Sequence, residues 1–285
     1  MKVGVVGCGL VGSAAAFAIV LTGSAKALAL VDINKDLAEA QAEDILHATP
    51  FAEALAISAG DYDILTGCHL VIMACGVAQR PDESRLELLK RNAAIFQGVI
   101  PKVLEFAPDS LLLIASNPVD ILTDVVARSS RLPQGRVFGS GTVLDTARFR
   151  SLIGTWFGVA AHSVHAYVLG EHGDSEVLVW SSARVAGVPV GDFGEQIGAP
   201  LTDGMKADID ERVRRAAYRI ISGKGFTNYG IGAGLAKIAR VIRDDDRTVL
   251  TLSMPTDSIE GFDGVSLSLP RILGASGVVA TVRPP

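Results

Sequence analysis

Cysteine is scarce in this chain. Cys8, Cys68 and Cys75 are its only three, and no two stand as a C-x-x-C pair. An odd, sparse count argues against a disulfide scaffold and for a reducing, cytoplasmic compartment. An excess of positive charge is missing as well: the formal net charge is −5, which excludes nonspecific affinity for nucleic acid. Neither a low-complexity segment nor an internal repeat interrupts the 285 residues. Charge is also absent locally, over the 23 residues from Val3 to Ala25 that follow Lys2. Such a stretch could serve as a signal peptide or a membrane span. Against that reading, Gly4, Gly7, Gly9 and Gly12 interrupt the apolar run. The stretch also divides into a strand-like Val3-Gly4-Val5-Val6 and a helical period from Leu10 to Leu21.

What is present is a globular composition, 49% hydrophobic and 20% charged, in a length that suits one large or two ordinary domains. Gly7-Cys8-Gly9-Leu10-Val11-Gly12 is a G-x-G-x-x-G that follows a strand and opens a helix. A second apolar strand, Ala27–Val31, ends in Asp32, 20 residues after the last glycine. That spacing fits a dinucleotide site: Gly7, Gly9 and Gly12 let the backbone approach a pyrophosphate, which lies on the helix N-terminus with Val11, while Asp32 accepts ribose hydroxyls. The alternative is that Asp32 only caps the helix beginning near Asn34. Ile33 and Asn34 follow it rather than Arg, which favours NAD over NADP. Helical period from Leu37 to His47 and strands at Leu70–Ala74 and Leu111–Ala115 continue the alternation to about residue 140. The spacing predicts an α/β fold with a doubly wound parallel sheet of Rossmann type.

The chemistry should sit where these strands end. After Leu70–Gly76 comes Gln79-Arg80-Pro81-Asp82-Glu83-Ser84-Arg85, whose arginines suit a small anionic substrate. Gln79 is a neutral amide where a third cation could have stood. Asn117, before Pro118, ends another strand, and on these residues it reads equally as a cleft amide or as a helix cap. Gly170-Glu171-His172-Gly173-Asp174-Ser175 places a histidine between glycines, either a proton donor at a cleft or a structural residue. In Leu144–Arg150, Asp145 and Arg148 share a helical face. They could orient the imidazole and bind the substrate, or be a helix N-terminal acid and a solvated charge. The arginine-rich Glu211–Arg215 reads as a solvated or subunit-facing helix side.

Taken in order, Gly7–Gly12, Asp32, Gln79–Arg85, Asn117-Pro118, Leu144–Arg150 and Gly170–Ser175 resemble the lactate/malate dehydrogenase family over essentially the whole chain, on its bacterial L-lactate dehydrogenase side. The resemblance implies a NAD-binding Rossmann domain over 1–140 and a mixed α+β substrate domain over 141–285. It implies His172 as the acid/base, Asp145 as its partner, Arg148 as the clamp on the substrate carboxylate and Arg85 as the residue that polarises the carbonyl. Asn117 would bind the reacting oxygen beside the cofactor, and Thr227 would line the pocket. Arg150 and His165 match the family's fructose 1,6-bisphosphate site at a subunit interface of a homotetramer. Gln79 stands where malate dehydrogenases carry Arg. A second carboxylate needs a cation there, whereas a buried Arg facing the methyl of pyruvate would be unpaired, at a cost on the order of 3–5 kcal/mol. The expected reaction is therefore pyruvate with NADH to L-lactate, the alternatives being malate dehydrogenation or NAD binding without catalysis. Three departures qualify the match. Asp82 replaces a usual Gly, Cys8 falls where a pyrophosphate would pass and so could block NAD when oxidised, and the chain ends at Arg283-Pro284-Pro285 without the family's C-terminal helix, which would weaken closure over the site.

Overall fold

Leu70-Val71-Ile72-Met73 and Leu111-Leu112-Leu113-Ile114 have no polar face, and both become strands that are buried on two sides. The computed structural model describes residues 1–77, 83–259 and 261–283, with the side chains of Arg85, Ile259, Phe262 and Asp263 excepted. Gln79 and its neighbours Arg80, Pro81 and Asp82 lie outside the described residues.

In chain order the N-terminal half runs β1 (Lys2–Val6), α1 (Leu10–Leu21), β2 (Ala27–Val31), α2 (Lys35–Leu46), β3 (Ala56–Ala59), β4 (Leu70–Met73), α3 (Arg85–Phe106), β5 (Leu111–Ile114), α4 (Val119–Ser130) and β6 (Val137–Gly139). These six strands are parallel and ordered β3-β2-β1-β4-β5-β6, so the strand order reverses between β1 and β4, as in a Rossmann fold. Alternation along each strand feeds two cores. Val3, Val5, Leu70, Ile72, Leu111 and Leu113 face α1. Val6, Val71, Met73, Leu112 and Ile114 face α3 and α4 through Phe96, Ile100, Leu122 and Val126.

The second half continues with α5 (Val143–Phe157), the short strands β7 (Val164–His165), β8 (Val168–Leu169), β9 (Val177–Leu178), β10 (Arg184–Val185) and β11 (Val188–Pro189), then α6 (Val190–Gln196), α7 (Asp203–Arg214), α8 (Ala216–Lys224) and α9 (Tyr229–Asp244). A separate core around Phe149, Ile153, Phe157, Leu178 and Val213 holds this layer, with Phe149 edge-on to Trp180 at 4.7 Å. The last strands, β12 (Thr248–Ile259), β13 (Phe262–Gly274) and β14 (Gly277–Thr281), return to the first half. They pair antiparallel beyond β6, giving a nine-stranded sheet among the described residues. α9 also returns, with Leu235, Ile238 and Ile242 in the core that α1 covers. The C-terminal half thus closes the N-terminal sheet as well as building its own layer. Arg271 on β13 is fully buried and donates to the carbonyls of Leu252, Met254 and Leu267, which ties β13 to β12. No helix among the described residues is long and apolar enough to cross a membrane.

Candidate active site

The site collects where parallel strands end. After β1 the chain turns at Gly7, with φ +99°, and enters α1 so tightly that a Cβ at Gly12 would lie 1.8 Å from the Gly7 carbonyl oxygen. Around Gly9 there is open space, with no atom within 4 Å of a Cβ built there. α1 has no side-chain cap and no acid in its first turn, so its first N–H groups meet no side-chain acceptor. Asp32 lies beside this turn at the end of β2. Its Oδ2 accepts from the Cys8 N–H at 2.6 Å and its Oδ1 from the Asn34 N–H at 2.9 Å. The helix-cap reading of Asp32 fails, because Asn34 itself caps α2 by accepting from the Leu37 N–H at 3.1 Å. A glycine cradle, open helix N–H groups and a half-buried carboxylate fit NAD.

The expected exposure of Cys8 to the cofactor is corrected. Its side chain is 1% exposed and its thiol donates to the Val31 carbonyl at 3.6 Å. Burial, with the Asp32 carboxylate adding, pushes the thiol up to about 12, so little thiolate forms for oxidation.

Asn92 joins the next two strand ends. An amide on the apolar side of α3, it is 2% exposed; its Oδ1 accepts from the Val77 N–H at 2.9 Å, and its Nδ2 donates to the Asn117 carbonyl at 2.9 Å. It therefore ties Val77, past the end of β4, to Asn117, past the end of β5. Asn117 is exposed and precedes a cis peptide bond to Pro118. It is not the cap of α4, whose N-cap is Pro118. Arg85 is the first residue of α3, a helix started by a capping box of Ser84 and Glu87, and its side chain lies outside the described residues.

β6 leads into α5, which carries Asp145 in its first turn. Thr146, one residue on, accepts from the Val168 N–H at 2.9 Å and bonds the Thr251 hydroxyl at 3.0 Å, locking α5 to β8 and β12. The loop from β8 to β9 carries His172 and is held three ways. Gly170 exchanges backbone bonds of 3.0 and 2.9 Å with Ser268 on β13. The His172 backbone N–H donates to Asp120 Oδ2 at 2.8 Å, and the ring Nδ1 meets Asp145 Oδ2 at 2.7 Å. The other Asp145 oxygen accepts from Arg148 at 2.7 Å. One carboxylate, 2% exposed, thus aligns both an imidazole and a guanidinium.

The electrostatics follow from this packing. Burial works against the His172 imidazolium, but the Asp145 hydrogen bond and charge, with Glu176 and Asp120 adding, outweigh it and raise the pKa. Burial likewise works against the Asp145 carboxylate, and His172 and Arg148 overcome it, holding Asp145 below the ordinary carboxylate range. Asp120 is pushed upward, chiefly by burial.

Of the other expected residues, Val11 lies in the first turn of α1, half-buried. Thr227 lies between α8 and α9, half-buried, with no hydrogen bond to the His172 group among the described residues. Arg150 donates from Nε to the Ala166 carbonyl at 2.8 Å and stacks over Tyr167 at 5.1 Å, next to exposed His165. The helix side around Glu211–Arg215, expected to be solvated or subunit-facing, is partly engaged within the chain. Arg214 pairs with Asp210 at 2.6 Å and donates to the backbone carbonyls of Asp174 and Glu176, bracing the His172 loop. Asn92, Asp120, Arg214 and Glu176 were not anticipated from the sequence. The available signals were slight: a lone amide among the apolar residues of α3, an acid in the first turn after Pro118, and an acid four residues beyond His172.

Comparison with known proteins places this geometry. Residues 1–139 match the lactate/malate dehydrogenase NAD binding domain and residues 142–284 the lactate/malate dehydrogenase alpha/beta C-terminal domain. The L-lactate dehydrogenase of Thermus aquaticus is 59% identical over 284 residues, covering 100% of this chain and 92% of that protein. That of Deinococcus radiodurans is 51% identical, covering 100% of this chain and 91% of the relative. A solved lactate dehydrogenase from a Medee basin deep-sea metagenome matches with a TM-score of 0.96 and 40% identity, over 100% of this chain and 91% of that one. With both halves matched and most of one relative's length spanned, the chain belongs to the lactate/malate dehydrogenase family.

Proposed function

We propose that the protein is a NAD-dependent L-lactate dehydrogenase that interconverts pyruvate and L-lactate in the cytoplasm. The observation that carries this reading is the placement of His172 and Arg148 on the two oxygens of one buried carboxylate, Asp145. A proton donor and a carboxylate ligand at fixed separation suit a small 2-keto acid.

The bound NAD supplies the hydride chemistry at the carbonyl carbon. Gly7, Gly9, Val11, Gly12, Asp32 and Asn117 hold it in this reading. Arg148 binds the substrate carboxylate with donors not used on Asp145. His172, kept cationic by Asp145, gives its proton to the substrate oxygen during reduction and takes it back during oxidation. Because Nδ1 faces Asp145, the other ring nitrogen is the one that exchanges the proton. Arg85 and Asn117 steady the same oxygen, and Thr227 lines the pocket. Gln79, a neutral amide, favours the methyl of pyruvate over the second carboxylate of oxaloacetate.

The division of labour at about residue 140, with cofactor binding before it and substrate chemistry after it, belongs to the same reading. So does a homotetramer in which Arg150 and His165 bind fructose 1,6-bisphosphate. Self-association is supported by a groove of about 670 Å³ whose lining includes Phe17, Leu21, Phe51 and Tyr229, the last two 88% and 74% exposed. Steady-state turnover of pyruvate and oxaloacetate with NADH, with and without fructose 1,6-bisphosphate, tests the reading. A kcat/KM higher for oxaloacetate would refute lactate dehydrogenation.

A further inference from the structure

Glu176 is a buried acid that the mechanism does not use. It is 2% exposed, and its Oε1 is buried with no hydrogen-bond partner. A carboxylate oxygen of Glu176, a ring nitrogen of His172 and a carboxylate oxygen of Asp145 all lie within 4.8 Å of one another. Arg214, the nearby cation from α7, spends its guanidinium on Asp210 and on backbone carbonyls, that of Glu176 among them. The charged groups around the site are thus Asp145 and Arg148 from α5, Asp120 from α4, Arg214 with Asp210 from α7, and His172 itself.

We propose that Glu176 is a positioning residue of the proton-transfer site, whose carboxyl takes up a proton as His172 gives one up and so holds the buried charge constant through the reaction. The proposal rests on His172 being the proton donor. During reduction the N–H bond of the imidazolium breaks, the O–H bond of the product alcohol forms, and His172 is left neutral. The Glu176 carboxylate then loses the attraction of the adjacent His172 cation while Asp145 still repels it. An O–H bond forms on Glu176 with a proton from solvent, and the summed charge of Asp145, Arg148, His172 and Glu176 is the same before and after. Oxidation of the alcohol runs these steps backwards. The electrostatics agree: burial and the Asp145 charge push Glu176 up to about 7, against the pull of the His172 cation.

The test uses the protein without cofactor as well as the working enzyme. In infrared titration of the wild type, a protonated-carboxyl band should disappear as pH rises through about 7. Glu176→Gln should remove that band. His172→Asn should move its titration to higher pH, because no cation remains to favour the carboxylate. In turnover, the loss of pyruvate reduction with rising pH should begin at lower pH in Glu176→Gln, by about half a unit or more for a unit charge some 5 Å away. Glu176→Asp should restore part of that shift, which a merely structural role would not predict. A wild-type protein with no such band overturns the proposal without any variant, even if Glu176→Gln does not fold. A band whose titration is the same in His172→Asn also overturns it. If neither keto acid is turned over, lactate dehydrogenation fails, while the cofactor-free titrations still decide the role of Glu176.

Discussion

Replacing Asp145 by Asn removes one charge and changes little shape, so its effect can be worked from the geometry. Asp145 bonds His172 and Arg148 at 2.7 Å each. An amide has one oxygen for these two donors, and its NH2 faces the other unpaired. A hydrogen bond to a charged group contributes about 1.5–3 kcal/mol, and one pKa unit corresponds to about 1.4 kcal/mol. The His172 pKa should therefore fall by about one to two units. The direction follows from the chemistry. His172 lies above the free imidazole value because Asp145 overcomes burial, and reduction of pyruvate needs the cation. Activity is full below the His172 pKa and lost as pH rises through it, so in Asp145→Asn the loss begins at lower pH. Lactate oxidation needs neutral imidazole, so its profile rises with pH and should move the same way. KM for pyruvate should increase as well, because Arg148 loses its anchor, whereas NADH affinity by fluorescence titration should hold. Stability has its own signature. Asp145 is held below the ordinary carboxylate range when folded, so its stabilising contribution is present above that range and is lost as pH falls through the lowered folded pKa, a loss the variant cannot show. Paired pH–rate profiles for both directions are the assay. Midpoints agreeing within about 0.3 unit, under half a kcal/mol, would refute the coupling of Asp145 to His172.

Three other substitutions probe separate parts of the site. Gln79→Arg should shift the ratio of kcat/KM for oxaloacetate over pyruvate by about 10²-fold, and a change under about twofold would remove Gln79 as the specificity residue. Arg148→Lys keeps the charge but loses the fork, so KM for pyruvate should rise about tenfold or more, near 1.4 kcal/mol; a matching loss of NADH affinity would point to a damaged helix instead. Asn92→Ala leaves the Val77 N–H and the Asn117 carbonyl without their partner and should destabilise the fold by about 2–4 kcal/mol in urea denaturation, with KM for pyruvate raised; an unchanged midpoint would mean that water replaces the amide.

Local pattern determined a good deal of this protein. The turn at Gly7–Gly12, the helix Leu10–Leu21 and the strand Ala27–Val31 were all readable, because a glycine turn, a helical period and a short apolar run are properties of neighbouring residues. Family motifs carried His172, Asp145 and Arg148 to the same site, although 27 residues separate the imidazole from its partner. Tertiary structure alone decided the rest. Only the folded chain brings Asp120 onto the His172 backbone from 52 residues away, or lays Asn92 across two strand ends. Only packing turned the Cys8 thiol inward and left Glu176 Oε1 buried without a hydrogen-bond partner. It also returned β12–β14 to a sheet that had looked complete at residue 140. Sequence patterns specify which face of an element is apolar, but burial, desolvation and hydrogen bonding between distant segments depend on what arrives opposite that face. The acidity of His172 and of the carboxyls around it is therefore a property of the assembled structure and not of any one segment.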